Sequence, residues 1–200
     1  QGGMQRVLVV QRSSGGDRVL EADTAGGDLF TPRSRPRMGN FTYISRRTPD
    51  ALLLRGGTDY TMVNGIVTGS PICLDIDGNQ TVAPADPALD EAGPPVFRSV
   101  MFSCANPFRD ESDVPASIIS AIFAGNNNVS NGISTLQNVF FPGPNEQAVV
   151  PTNPNTLYSF FTNLAYVGAF QNSSDTWFNG WACGVGSNAS CTASPPATGV

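Results

Sequence analysis

The chain of 200 residues has no histidine, and all 11 of its basic residues are arginine. Without histidine there is no ordinary neutral-pH proton shuttle and no Ser-His triad; without lysine there is no Schiff-base nucleophile and no P-loop phosphate contact. No run of 18 apolar residues is present to cross a membrane as a helix, and no signal peptide stands at the start. Positive charge is scarce, with a net charge of -5, and this argues against nucleic-acid binding, which needs a basic face. The one basic cluster, Arg33, Arg35 and Arg37 followed by Arg46 and Arg47, lies among turn residues and reads as a solvated loop.

Cysteine is also sparse. None of Cys73, Cys104, Cys183 and Cys191 forms a CxxC pair, and with no histidine a tetrahedral zinc site would need all four at spacings unlike a zinc ribbon. Disulfides fit better. Cys183 with Cys191 would close a small loop, and Cys73 with Cys104 would join neighbouring repeats. Alternation complicates the second pair: if Ile72, Leu74 and Ile76 face inward, Cys73 faces outward, whereas Cys104 shares the face of Val100 and Phe102. A bend at a strand end would reconcile them. An even cysteine count without metal spacing points to an oxidising compartment.

What is present is a pattern of strands. Apolar runs at 6-11, 40-45, 61-67 and 97-103 form one series, and runs at 18-23, 51-55 and 72-77 form another. Starts are 34, 21 and 36 residues apart in the first and 33 and 21 in the second, a base period of about 21 lengthened by insertions at 24-39 and 78-96. Both insertions follow a second-series strand. The 21 Gly and 16 Pro, with many Asn and Ser, suit short strands joined by turns. Gly56-Gly57 and Asn64-Gly65 mark tight corners, while the sequons at Asn40, Asn128, Asn172 and Asn188 read as turn residues, Asn40 within a strand. Interleaved strands with loops sprouting from one corner predict an all-β right-handed parallel β-helix, a solenoid. One domain is expected: coils over 1-112, then a helix, an irregular segment and an aromatic-rich C-terminal cap over 113-200.

In that second part, Asp113 reads as the cap of a short amphipathic helix with Pro115 in its first turn and Ile118, Ile119, Ile122 and Phe123 on its apolar side, ending at Gly125-Asn126. Phe160, Phe161, Tyr166, Phe170, Trp177, Phe178 and Trp181 then crowd into 22 residues, expected to plug the open end of the core. At the other end the first strand has no polar capping segment before it. The expectation is that the chain is the C-terminal part of a longer solenoid, or that its first rung, at Met4, Arg6, Leu8 and Val10, docks on another subunit.

The segments LVVQRSSGGDRVLEADTAGG, NFTYISRR, LLLRGGTDYTMVNGIVTG, CLDIDGNQT, FRSVMFSCANPF and FFTNLAYVGAFQNSSDTWFNGWACG carry a resemblance. Together they resemble the C-terminal portion of a largely uncharacterised family of exported right-handed β-helix proteins of sphingomonads and related alphaproteobacteria. The resemblance implies export, to the extracellular space or outer-membrane surface of a Gram-negative bacterium. It implies further coils before this segment and brings no catalytic residues.

The chemistry left open is that of carboxylates: a glycosidase-type acid pair, or a lyase site in which calcium acidifies a sugar proton that an arginine removes. Asp75, Asp77 and Asn79 in LDIDGN offer hard oxygen ligands at alternate positions, suited to calcium, with Arg55 or Arg98 as the base. The same alternation is expected of any solvated strand face. No catalytic residue is assigned and no cofactor is required. The preferred reading is a non-enzymatic surface scaffold whose loops engage a partner or glycan; the alternatives are a self-assembling subunit of a larger particle or fibre and a calcium-dependent polysaccharide lyase.

Overall fold

A computed structural model describes residues 2-24, 30-47, 49-179 and 182. Eight strands fill the first half: β1 (Gly3–Val10), β2 (Leu20–Ala22), β3 (Arg37–Ile44), β4 (Asp50–Leu54), β5 (Thr61–Thr68), β6 (Ile72–Ile76), β7 (Val96–Ser103) and β8 (Asn106–Phe108). All pairings between them are parallel. The odd strands form one sheet in the order β1-β3-β5-β7 and the even strands a second in the order β2-β4-β6-β8, so the chain passes from one sheet to the other at every step. The two apolar series of the sequence are the strands of these two sheets.

The expected right-handed parallel β-helix closed by a C-terminal plug is corrected by this topology. What the structure shows is two separate four-stranded parallel sheets with few helices; a β-helix is not shown. Strand spacing reports alternation between sheets, but it carries no information on handedness or closure. Beyond β8 the described chain adds to these sheets only an isolated bridge, Met101 to Val129.

The main core lies between the sheets. Phe41, Tyr43, Met62, Val67, Phe97, Val100 and Phe102 of the first meet Ala51, Leu52, Leu54, Cys73, Leu74 and Ile76 of the second. Each buried aliphatic or aromatic side chain contributes about 1.5–3 kcal/mol of transfer free energy. Helix α1 (Ala116–Phe123) closes the β7 and β8 end, burying Ile119 and Phe123, whose ring stacks on Phe102 at 4.4 Å. Asp113 does not cap it: Ala116 N–H donates to Asp110 Oδ1 at 3.0 Å, while Asp113 accepts from the Gly78 amide at 2.8 Å, which lowers its pKa. Proline at 115 leaves the helix start where a carboxylate three residues further back serves it better.

Cys73 and Cys104 form a disulfide with Cα atoms 5.5 Å apart. The parity objection fails because β6 is not an alternating strand: Cys73 through Ile76 are all buried. The proposed Cys183–Cys191 bridge lies outside the described residues.

The aromatic segment does not plug an end. Phe140, Phe141, Phe170 and Phe178 pack with Leu8, Val10 and Ile44 on the outer face of the first sheet, and Val149 and Val167 pack on Ile66 and Met101 of that face. Polar ties fasten this cover at one register position. Arg6, Asn40, Asn64 and Ser99 share left-handed backbone (φ 61, 49, 56 and 55°), and the ladder skips all four. Asparagine tolerates that conformation better than most residues. Asn40 Nδ2 donates to Tyr166 O at 2.7 Å, Asn64 Nδ2 to Thr152 O at 2.8 Å and Ser99 Oγ to Val150 O at 2.8 Å.

The basic loop also needs correction. Arg33 is buried, with Nε 3.2 Å from Glu91 Oε2, Arg35 pairs with Asp59 at 3.1 Å, and the Arg37 guanidinium lies 4.5 Å above the Tyr158 ring. Three arginines read as solvated are held by acidic or aromatic partners distant in sequence.

Candidate functional site

The second sheet and the turns at its strand ends carry a lattice of carboxylates and arginines. Asp50, at the start of β4, has a fully buried side chain, yet it accepts Arg18 Nε at 2.5 Å and Arg109 Nε at 3.0 Å. Two guanidinium groups make burial of this carboxylate tolerable. Arg109 Nε lies 3.0 Å from Asp75 Oδ2 and 3.7 Å from Glu111 Oε1. Farther along, Arg55 pairs with Glu21 at 2.6 Å and Asp23 at 3.5 Å.

Asp75, Asp77 and Glu111 each present an oxygen within 4.8 Å of the others. Burial pushes the Asp75 carboxyl up to about 7, with the negative charges of Asp77 and Asp50 adding to the shift and Arg109 opposing it. Asp77 Oδ1 is enclosed and has no hydrogen-bond partner. Asn79 stands exposed at the start of the 3-10 turn Asn79–Val82. Glu111, not singled out from the sequence, joins the two aspartates. Register supplies the reason, since Leu74 pairs with Phe108 and sets the residues that follow each strand side by side.

The trio suits calcium only in part. Calcium takes six to eight oxygen ligands, and here Arg109 already pairs with two of the three carboxyls. An acidic cluster with its own arginine is first a self-compensating surface. Of the two arginines considered as the base, Arg55 is engaged by Glu21 and Asp23, and Arg98 lies on the first sheet opposite Val63, with Nη1 donating to Asn126 Oδ1 at 3.2 Å.

The four residues expected to dock a partner all lie on β1. Met4 is exposed; Arg6 sits 6.0 Å over the Trp177 ring; Leu8 and Val10 pack into the aromatic cover. Their side chains are therefore largely spoken for, and what β1 leaves open is its backbone edge. Among the described residues β1 and β2 each pair on one side only. Sequence reading missed a second charged group, Arg33, Arg35, Asp59 and Glu91, because its members come from three separate loops.

No family model, curated protein or solved structure matches this chain. Among the described residues no helix is long and apolar enough to cross a membrane.

Proposed function

We propose that the protein is a non-enzymatic extracellular or cell-surface scaffold that works by contact, its open strand edges at β1 and β2 accepting parallel strands of further polypeptide, from the same protein or another subunit. One observation carries the reading: the two ends of the core differ. At the β7 and β8 end, α1 covers the core and residues 126-132 bond to β7, with Phe102 N–H donating to Val129 O at 2.8 Å. At the other end Val7, Val9, Val19, Leu20 and Ala22 are only partly buried, and no strand pairs beyond them among the described residues. Unpaired edges beside apolar side chains favour strand addition. The Cys73–Cys104 bridge fits an oxidising, extracellular setting.

The edge can be tested without touching the core chemistry. Gln11 N–H donates to Ile44 O on β3, so the neighbouring Val10 N–H points to the open side. Val10→Pro removes that donor. Sedimentation velocity should show the parent associating and Val10→Pro remaining monomeric, with far-UV circular dichroism unchanged. Turnover of polyuronate that disappears in the Asp75→Asn, Asp77→Asn double variant would overturn the non-enzymatic reading and support the lyase.

A further inference from the structure

The strands of the first sheet repeat one order of columns. Met4, Met38, Met62 and Phe97 are register partners; so are Val7, Phe41, Gly65 and Val100, and Val9, Tyr43, Val67 and Phe102. From β3 to β7 these three columns supply the core between the sheets. Exposure along the first of them jumps at the open edge: Phe97, Met62 and Met38 are 1, 0 and 2% exposed, and Met4 is 53% exposed. Val7 and Val9 pack on the same core but are only partly buried. Three core columns therefore run out at β1 with apolar surface still uncovered.

A fourth column carries shape rather than hydrophobicity. Arg6, Asn40, Asn64 and Ser99 have φ of 61, 49, 56 and 55°, and each pairing resumes in step beyond them. Left-handed backbone is costly for most residues, less so for asparagine and glycine, and worst for β-branched ones, of which this column has none. The bend also sets the spacing of the core residues. Met4, Val7 and Val9 stand three and then two positions apart, whereas an extended strand repeats its facing every two residues. A regular strand laid on β1 would match the core on one side of Arg6 and turn its apolar residues to the wrong face on the other.

We propose that the strand seated on β1 carries the pattern apolar-x-Asn/Gly-apolar-x-apolar, its apolar residues lying on Met4, Val7 and Val9 and its left-handed residue beside Arg6. This occupant presupposes the strand-addition reading above. The two unspecified positions face the outer cover, as Gln5 and Leu8 do: Gln5 Nε2 donates to Thr162 O at 2.7 Å, and Leu8 packs among the covering aromatic residues. Strand β3 has the same pattern, Met38-Gly39-Asn40-Phe41-Thr42-Tyr43, and holds β1 from its other side in that register.

The probe is a fluorescent peptide with the β3 sequence, Arg37 to Ile44, titrated with the full chain at a concentration where sedimentation shows monomer and followed by anisotropy. The parent peptide and its Asn40→Gly form should bind, and the Asn40→Val form should bind at least about tenfold more weakly. In the chain, Met4→Asp changes an exposed side chain and should weaken the parent peptide by about tenfold or more. Equal binding of the Asn40→Val and parent peptides, or no effect of Met4→Asp, would overturn the pattern and leave strand addition standing. Failure of every peptide, with a chain that still associates at higher concentration, would give the edge to a second copy and overturn this occupant. Failure of every peptide with a chain that stays monomeric would sink the strand-addition reading as well.

Discussion

Gly65 lies on β5 directly across from Phe41 of β3, and a methyl group there has nowhere to go. A Cβ on Gly65 would stand 1.8, 2.1 and 2.4 Å from three atoms of the Phe41 ring. Ordinary carbon contacts lie at about 3.5–4.0 Å, so the ring must move by well over 1 Å. It has no room: Phe41 is fully buried and its centroid lies 4.8 Å from that of Tyr43. A ring flip does not help when the tip and both flanking atoms are in the way. Overpacking of this kind costs about 1–3 kcal/mol, and the depth of the overlap places Gly65→Ala at the upper end. In urea, followed by circular dichroism, a slope of about 2 kcal/mol/M makes that a midpoint lowered by roughly 1–1.5 M with the slope unchanged. Phe41→Leu shortens the offending side chain. The double variant should therefore be more stable than the sum of the single losses allows, by about 1–2 kcal/mol. A Gly65→Ala midpoint within about 0.5 kcal/mol of the parent, or strict additivity with Phe41→Leu, would refute the packing argument.

Asp50→Asn should destabilise by about 2–4 kcal/mol in the same assay, because it leaves Arg18 and Arg109 facing each other across a neutral amide; an unchanged midpoint would mean that the lattice is not stabilising. Reducing the Cys73–Cys104 bond, which spans 31 residues, should cost roughly 2–4 kcal/mol, seen as a lower melting temperature with reductant present. Asp75 is raised from the ordinary aspartate range to about 7, so between the two the folded state keeps a proton that the unfolded chain has lost. Its contribution is present in full below the ordinary aspartate range and declines as the pH rises through about 7. Comparing melting temperatures from pH 4 to 8 should show a decline that is shallower in Asp75→Asn, and parallel profiles would contradict the shift.

Local chemistry alone determined where the strands run and that they form two alternating series. Runs such as RVLVV, ALLLR and FRSVMFS are β-branched and apolar, and glycine, proline and asparagine punctuate them. The pairing of Cys73 with Cys104 was legible for a similar reason, as their separation matches one lengthened repeat. Strict inward and outward alternation was not, because β3 through β6 are buried on nearly every residue and a parallel sheet covered on both faces erases the two-residue period. Tertiary structure alone decided what covers the first sheet: Asn40 and Tyr166, 126 residues apart, meet through an amide for which no sequence spacing gives notice. It also placed Glu111 beside Asp75 and Asp77, by register between β6 and β8. Arg33 reads as a solvated loop residue because charged side chains in turns usually are; only the convergence of three loops brings Glu91 to it, and a buried guanidinium is stable where its counter-charge is brought in with it.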